Sequence, residues 1–204
     1  MPKISDEKRA ARRAQILEAA WSCFQREGLH ATTMDDIIRA SGLSAGAVYS
    51  YYPSKDELIM AAVTTSLTEL SGLIAPILMA EPPLPPQRLL GEVTAAIERF
   101  TVRKDYDLKR IALLGWTEAQ RNELLRQTMR GYYAMVRGQL ERVATGWQRA
   151  GQAAPETPAK EVAKLILSIL FGFVVQAAIL GDVAPEEVAA GLAGLSLTDV
   201  ATAP

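Results

Sequence analysis

The sequence predicts an all-α chain of about nine helices in two parts, and three observations carry that prediction. Every long segment repeats its apolar residues with the 3.6 period of a helix. No segment alternates apolar and polar residues as a half-buried strand does. Prolines, glycines and capping residues cut the chain into pieces of helix length.

The first helix is expected over 6–27, with Ile16, Leu17, Ala20 and Phe24 as its core stripe and Gly28 ending it. A short second helix over 35–41 stops at Gly42, where a left-handed glycine closes a helix. Ser44 caps a third, whose outward side is Ser, Ala, Gly and Tyr, and Pro53 stops it. Ser54 with Glu57 forms a capping box that opens a fourth helix over 55–78. Residues 81–86 read Glu-Pro-Pro-Leu-Pro-Pro and must be a loop.

A fifth helix is expected over 87–102 and a sixth over 106–119. The seventh, over 122–150, carries Leu125, Met129, Tyr132, Val136, Leu140, Val143 and Trp147 at alternating spacings of three and four, until Gly151. Gly131 and Gly138 share one face of it, where either a neighbouring helix or a ligand comes close. Thr157 is the expected cap and Pro158 the first helical residue of an eighth helix reaching Leu180. A ninth runs from Pro185, with Glu186 and Glu187 in its first turn, to near Gly194. The tail SLTDVATAP is expected to be disordered or loosely attached.

Residues 33–52 thus form a helix-turn-helix whose second helix is small enough at its start to enter a DNA major groove. The surrounding residues resemble the TetR family of transcriptional regulators over roughly residues 10–65. The resemblance rests on Ile16-Leu17, Ala19-Ala20, Phe24, Gly28, Thr32-Thr33, Asp36-Ile37, Ser41-Gly42-Leu43-Ser44, Gly46, Val48-Tyr49, Tyr51-Tyr52, Ser54-Lys55 and Leu58. Ile38 departs from it, since the family usually has Ala there. A helix-turn-helix alone is weakly specific; the TT, GLS, Tyr-x-Tyr-Tyr and S-K-x-x-L combination is highly specific.

The resemblance implies a three-helix DNA-binding domain over 1–56 and an effector-binding and dimerisation domain over 57–204. By the same resemblance, Thr33, Tyr49, Tyr51 and Lys55 would contact phosphates, and Ser44, Ala45, Gly46 and Ser50 would meet base edges. Ala45 and Ala47 offer only methyl groups, so hydrogen-bonded readout looks sparse and DNA shape must matter. Asp35 either accepts from a cytosine amine or complements its helix dipole. Lys8, Arg9, Arg12 and Arg13 are either phosphate contacts or a solvated helix end.

Composition narrows the alternatives. The net charge is −1, and residues 1–60 hold eight Lys or Arg against eight Asp or Glu, so charge alone does not announce nucleic-acid binding. His30 is the single His and Cys23 the single Cys, which leaves no metal cluster, no nucleophile-base pair and no disulfide framework. Cys23 lies on an apolar stripe, as an inert thiol would. No enzyme, cofactor or metal site is therefore expected. Without a signal peptide, and with one thiol, the expected location is cytoplasmic.

The eighth helix is apolar on every side across Leu165–Leu180, a run of 16 residues, shorter than the ~20 a membrane span requires. A helix of that kind must be covered all round. The simplest cover is the same helix of a second copy with the ninth alongside, which the resemblance also implies; a central position in a single-chain bundle is the alternative. The interface is expected at Leu165, Ile169, Phe171, Val175 and Leu192. Helices four to eight resemble the family's effector domain, where Phe100, Trp116, Gln120, Tyr133, Phe173 and Gln176 are candidate lining residues or plain core. Gln176, inside an apolar helix, is expected to need a hydrogen-bond partner.

Overall fold

The structure is a computed structural model that describes residues 6–195. The expected tail, 196–204, lies outside the described residues. Among the described residues there are nine helices and no strand; one isolated bridge pairs Val102 with Asp107. The helices are α1 Asp6–Ala31, α2 Met34–Ser41, α3 Ala45–Tyr51, α4 Lys55–Leu78, α5 Pro86–Thr101, α6 Leu108–Glu118, α7 Glu123–Arg149, α8 Ala159–Ile179 and α9 Pro185–Gly194.

Two compact units emerge. Among the described residues, one holds those up to Glu69 with Val102–Arg130; the other holds Leu70–Thr101 and those from Gly131. The divisions fall inside α4 and α7. The motif-bearing unit therefore recruits α6, which the N-terminal sequence pattern could not announce.

In the motif-bearing unit, α1 packs on α2 and α6. Gly28 breaks α1 at φ 80°, ψ 166°, and one further turn carries it to Ala31. Buried Thr32 closes that end, its hydroxyl donating to the carbonyl of Gly28 at 2.7 Å. Gly42 adopts the expected left-handed conformation at φ 67°. Gln15 Nε2 donates to the Ser41 carbonyl at 2.8 Å, tying α1 to the motif turn. Tyr106 stacks on Trp21 with ring centroids 5.9 Å apart and donates its hydroxyl to Glu18 at 2.5 Å. Asp107 caps α6, accepting from Lys109 N at 2.8 Å, and its own N–H donates to Gln25.

The second unit is built on one apolar core. Ile74, Leu89, Leu90, Val93, Ile97, Val136, Leu140, Trp147, Ile166, Leu170 and Phe173 are buried together. Its α5 packs against α8 and closely against α9: a Cβ added at Gly91 would sit 3.4 Å from that of Ala189. Trp147 Nε1 donates to the Leu84 carbonyl at 2.7 Å, fixing the proline loop onto α7.

Two local expectations are corrected. Pro158, not Thr157, occupies the N-cap position of α8, and no side chain caps it; Glu161 N donates to the Pro158 carbonyl at 2.8 Å. Thr157 is held instead by Gln148, whose Nε2 donates to its carbonyl at 2.6 Å. Gly131 and Gly138 meet no close neighbour in the chain: nothing lies within 4 Å of a Cβ built on either.

By length and composition alone, α4 and α8 are apolar enough to cross a membrane, with mean hydropathies of 1.6 and 2.2. The helix α8 extends beyond the apolar run that made it look too short. Its Ala163, Ile166, Leu170 and Phe173 nevertheless face protein.

Candidate nucleic-acid interface and effector region

The surface of α3 follows from its own short sequence. Val48 is buried and anchors the helix, while Ser44, Ala45, Gly46, Tyr49 and Ser50 are exposed. Ser44 holds the start as N-cap, accepting from Ala47 N at 3.3 Å. That bond uses an acceptor lone pair and leaves the Ser44 hydroxyl proton for an outside partner. Ser50 differs: it donates to the Ala47 carbonyl at 2.7 Å, so outward it can only accept. Nothing lies within 4 Å of a Cβ at Gly46. The leading edge of α3 is thus a small, open, feebly polar surface beside Tyr49, which is 44% exposed.

The expected phosphate contacts are less alike than the sequence suggested. Tyr49 points out. Tyr51 is half-buried and lines a groove with Arg13, Leu17, Tyr52 and Met60. Thr33 is the N-cap of α2 and is engaged on every side: its N–H and hydroxyl donate to Asp36 Oδ2 at 3.0 and 2.5 Å, and its oxygen accepts from Asp36 N at 3.2 Å. These bonds hold the Asp36 carboxyl below its ordinary pKa, the Thr33 hydroxyl first and the Thr33 N–H second. Lys55 Nζ donates at 3.0 Å to the carbonyls of His30 and Thr32, leaving one proton for a phosphate. Arg9, Arg12 and Arg13 are exposed along the start of α1; Arg12 also donates to Gln15 at 2.8 Å. Asp35 is exposed in the first turn of α2.

This arrangement reads as a DNA-binding helix-turn-helix, and the comparisons agree. Residues 16–62 match the family described as bacterial regulatory proteins, tetR family. Residues 93–200 match the family of BetI-type transcriptional repressor C-terminal domains. The chain belongs to the TetR family of transcriptional regulators. It is a family of regulators, not of enzymes. The HTH-type transcriptional regulator YfiR of Bacillus subtilis is 31% identical over 176 residues, which cover 85% of this chain and 83% of that one. BetI of Rhizobium meliloti is 29% identical over 144 residues, 69% of this chain and 66% of its own. In fold, the chain resembles Salmonella enterica GusR (TM-score 0.72, 24% identity, 95% of this chain and 98% of that one). It also resembles a Saccharomonospora viridis regulator solved in complex with choline (TM-score 0.72, 20% identity, 91% and 95%).

The six effector candidates are divided between the two units of this TetR-family chain. Trp116, half-buried on α6, and exposed Gln120 belong to the motif-bearing unit, where Gln120 Nε2 donates to the Trp116 carbonyl at 3.4 Å. Phe100, Tyr133, Phe173 and Gln176 belong to the other. There, Tyr133 meets Phe171 edge to face at 4.8 Å, Phe100 is buried, and Phe173 is core at 1% exposure. Gln176 is exposed, so its expected need for a buried partner does not arise within the chain. A cavity of about 1030 Å³ in that unit, lined by Met79, Pro82, Pro83, Arg142 and Arg149 among others, contains none of the six.

Sequence reasoning passed over two positions of that unit. Tyr132 OH and Gln139 Oε1 on α7 are buried with no hydrogen-bond partner. Tyr132 was read as part of a periodic apolar stripe and Gln139 was not singled out; in each case a polar group on the inward face was the available signal.

Among the expected interface residues, Leu165 is 61% exposed, while Ile169, Phe171, Val175 and Leu192 are half-buried. Leu165, Ile169, Gly172, Gln176 and Ile179 recur every three or four residues, opposite the buried face of α8. Phe171 and Val175 lie to the side of that row, where Phe171 meets Tyr133.

Proposed function

We propose that the chain is a cytoplasmic repressor that binds a palindromic operator as a homodimer and is released by a small, hydrophobic or aromatic effector. The observation that carries the DNA-binding role is the open leading edge of α3, with its free Ser44 hydroxyl and outward Tyr49. Tyr51 and Lys55 flank it for phosphate contact, Thr33 joins them only if its hydroxyl turns away from Asp36, and Ala45, Gly46 and Ser50 complete the face toward the bases. In this reading residues 1–56 bind DNA, and residues 57–204 hold the effector and the dimer contact.

The dimer reading rests on α8. Leu165 and Ile179 remain 61% and 66% exposed on one row, although the opposite row is core. Covering each such side chain is favourable by about 1.5–3 kcal/mol before ordering costs. A second copy of α8, with Leu192 of α9 beside it, covers the row by two-fold symmetry. The polar Ser168 and Gln176 on this outward side favour a protein partner over lipid.

Effector control needs a ligand that binds one dimer conformation better than the other. The helix α4 starts in the motif-bearing unit and ends in the other, so a tilt of α4 would change the separation of the two recognition helices. A coupling of about 1–3 kcal/mol changes operator affinity roughly 5- to 150-fold. The choline complex of the Saccharomonospora viridis regulator supports small-molecule control in a protein of this fold.

The test is fluorescence anisotropy with duplexes from the DNA flanking the protein's own gene, with and without a metabolite panel. Specific, salt-dependent binding that one small molecule reverses is expected. Binding no tighter than to random duplex would overturn the reading.

A further inference from the structure

The inward face of α7 is apolar except at two positions. Tyr132 and Gln139 are seven residues apart, two helical turns, and so share one face about 10.5 Å apart along the axis. Core residue Val136 lies between them. The phenol oxygen of one and the amide oxygen of the other are buried without a partner. The fully buried polar side chains of this unit behave differently. Thr94 and Thr101 each donate to a carbonyl of their own helix, at 2.6 and 2.8 Å. Buried polar atoms are normally bonded, because removing them from water costs their desolvation. Two exceptions on one helix face therefore point to a partner supplied from outside the chain.

The surroundings define its chemistry. Tyr132 meets Tyr133 edge to face with centroids 5.3 Å apart, and Tyr133 meets Phe171 in the same way. Burial pushes the Tyr132 phenol well above its ordinary pKa, so it keeps its proton and can both donate and accept. Gln139 Oε1 accepts. Among the described residues no charged side chain of this unit is fully buried, so an ionised ligand would meet no fully desolvated countercharge there.

We propose that Tyr132 and Gln139 are the polar anchors of the effector site, and that the effector is an uncharged, mainly apolar or aromatic molecule carrying a hydroxyl. The inference rests on the reading of the chain as an effector-controlled regulator, and it names the class of effector. A ligand hydroxyl supplies either the donor that Gln139 lacks or a donor-acceptor match for Tyr132, and a ligand polar at both ends would meet both. The ligand's body lies against the Tyr133–Phe171 pair.

Three isosteric probes test it on the free, full-length protein by titration calorimetry and thermal shift: 4-tert-butylphenol, tert-butylbenzene, and (4-hydroxyphenyl)trimethylammonium. The phenol is expected to bind at least roughly tenfold tighter than either the hydrocarbon or the cation, because a site with unpaired polar groups rejects the analogue lacking the hydroxyl. At least one of Tyr132→Phe and Gln139→Leu should bring phenol binding toward that of the hydrocarbon, while the melting temperature of the unliganded protein stays equal or rises in both. No binding of any probe, strongest binding of the cation, or unchanged phenol affinity in both variants would overturn the proposal. So would a fall of several degrees in unliganded melting temperature, which would assign the two groups to structural bonds through trapped water. Because binding is read without DNA, phenol binding that leaves operator affinity unchanged would remove the regulatory reading and leave the site standing.

Discussion

Lys55 donates from Nζ to the carbonyl of Thr32 at 3.0 Å, and to that of His30 at the same distance. The first residue of α4 thereby closes the open carbonyl end of α1, just before the motif begins. A residue expected to hold a phosphate is also the clamp that orients the motif.

Lys55→Met should lower unfolding free energy by about 1 kcal/mol, as for loss of hydrogen bonds at a partly exposed site. With one N–H still available to a phosphate, the slope of log affinity against log salt should also fall by about 1. Chemical denaturation and salt-titrated anisotropy separate the two roles. Lost stability with an unchanged slope would leave the clamp and remove the phosphate contact.

The Thr33–Asp36 pair makes acid sensitivity local. Thr33→Ala should cost about 1 kcal/mol, the usual loss for an N-cap hydroxyl. Asp36 has a depressed pKa in the fold, so its contribution is complete above the unfolded value of 3.8 and is lost as pH falls through the folded value. Urea denaturation of wild type and Asp36→Asn over a pH series should show a gap that closes in acid. A gap independent of pH would contradict the assignment.

Gly46 stands in open space at the start of α3. Gly46→Ala should therefore fold as well as the wild type or slightly better, yet change DNA affinity, since the added methyl points where a base edge would lie. Circular dichroism and anisotropy on the same sample check both halves. Unaltered DNA binding would place the DNA face elsewhere.

The two open glycines of α7 provide a control on packing. With nothing within 4 Å, Gly131→Ala and Gly138→Ala should each stabilise the protein by up to about 1 kcal/mol. Thermal denaturation measures this, and destabilisation by either would reveal a close neighbour supplied by a second copy.

The elements legible in the sequence were those specified by neighbours in the chain. Gly42, Ser44 and Pro185 act within a turn of themselves, and each lies where local chemistry put it. The start of α8 lies one residue later than expected, and the Thr157 carbonyl accepts from Gln148, nine residues earlier. The attachment of α6 to α1 was hidden because its partners are distant in the chain: Tyr106 and Glu18 are 88 positions apart. Gln176 is exposed where its apolar helix suggested enclosure, whereas Tyr132 was absorbed into a stripe whose period was right and Gln139 was not singled out. Periodicity identifies the inward face of a helix but not which inward polar atoms find partners.

Hydroxyl-radical footprinting on DNA flanking the protein's own gene tests the central claim most directly. The account predicts two protected patches related by a dyad, with centres about 10–10.5 base pairs apart or a multiple of that spacing, as two recognition helices in successive major grooves require. Leu165→Glu, which places a charge in the outward row of α8, should abolish the paired pattern. A single protected patch in the wild type, or a paired pattern that survives Leu165→Glu with the protein monomeric by light scattering, would contradict it.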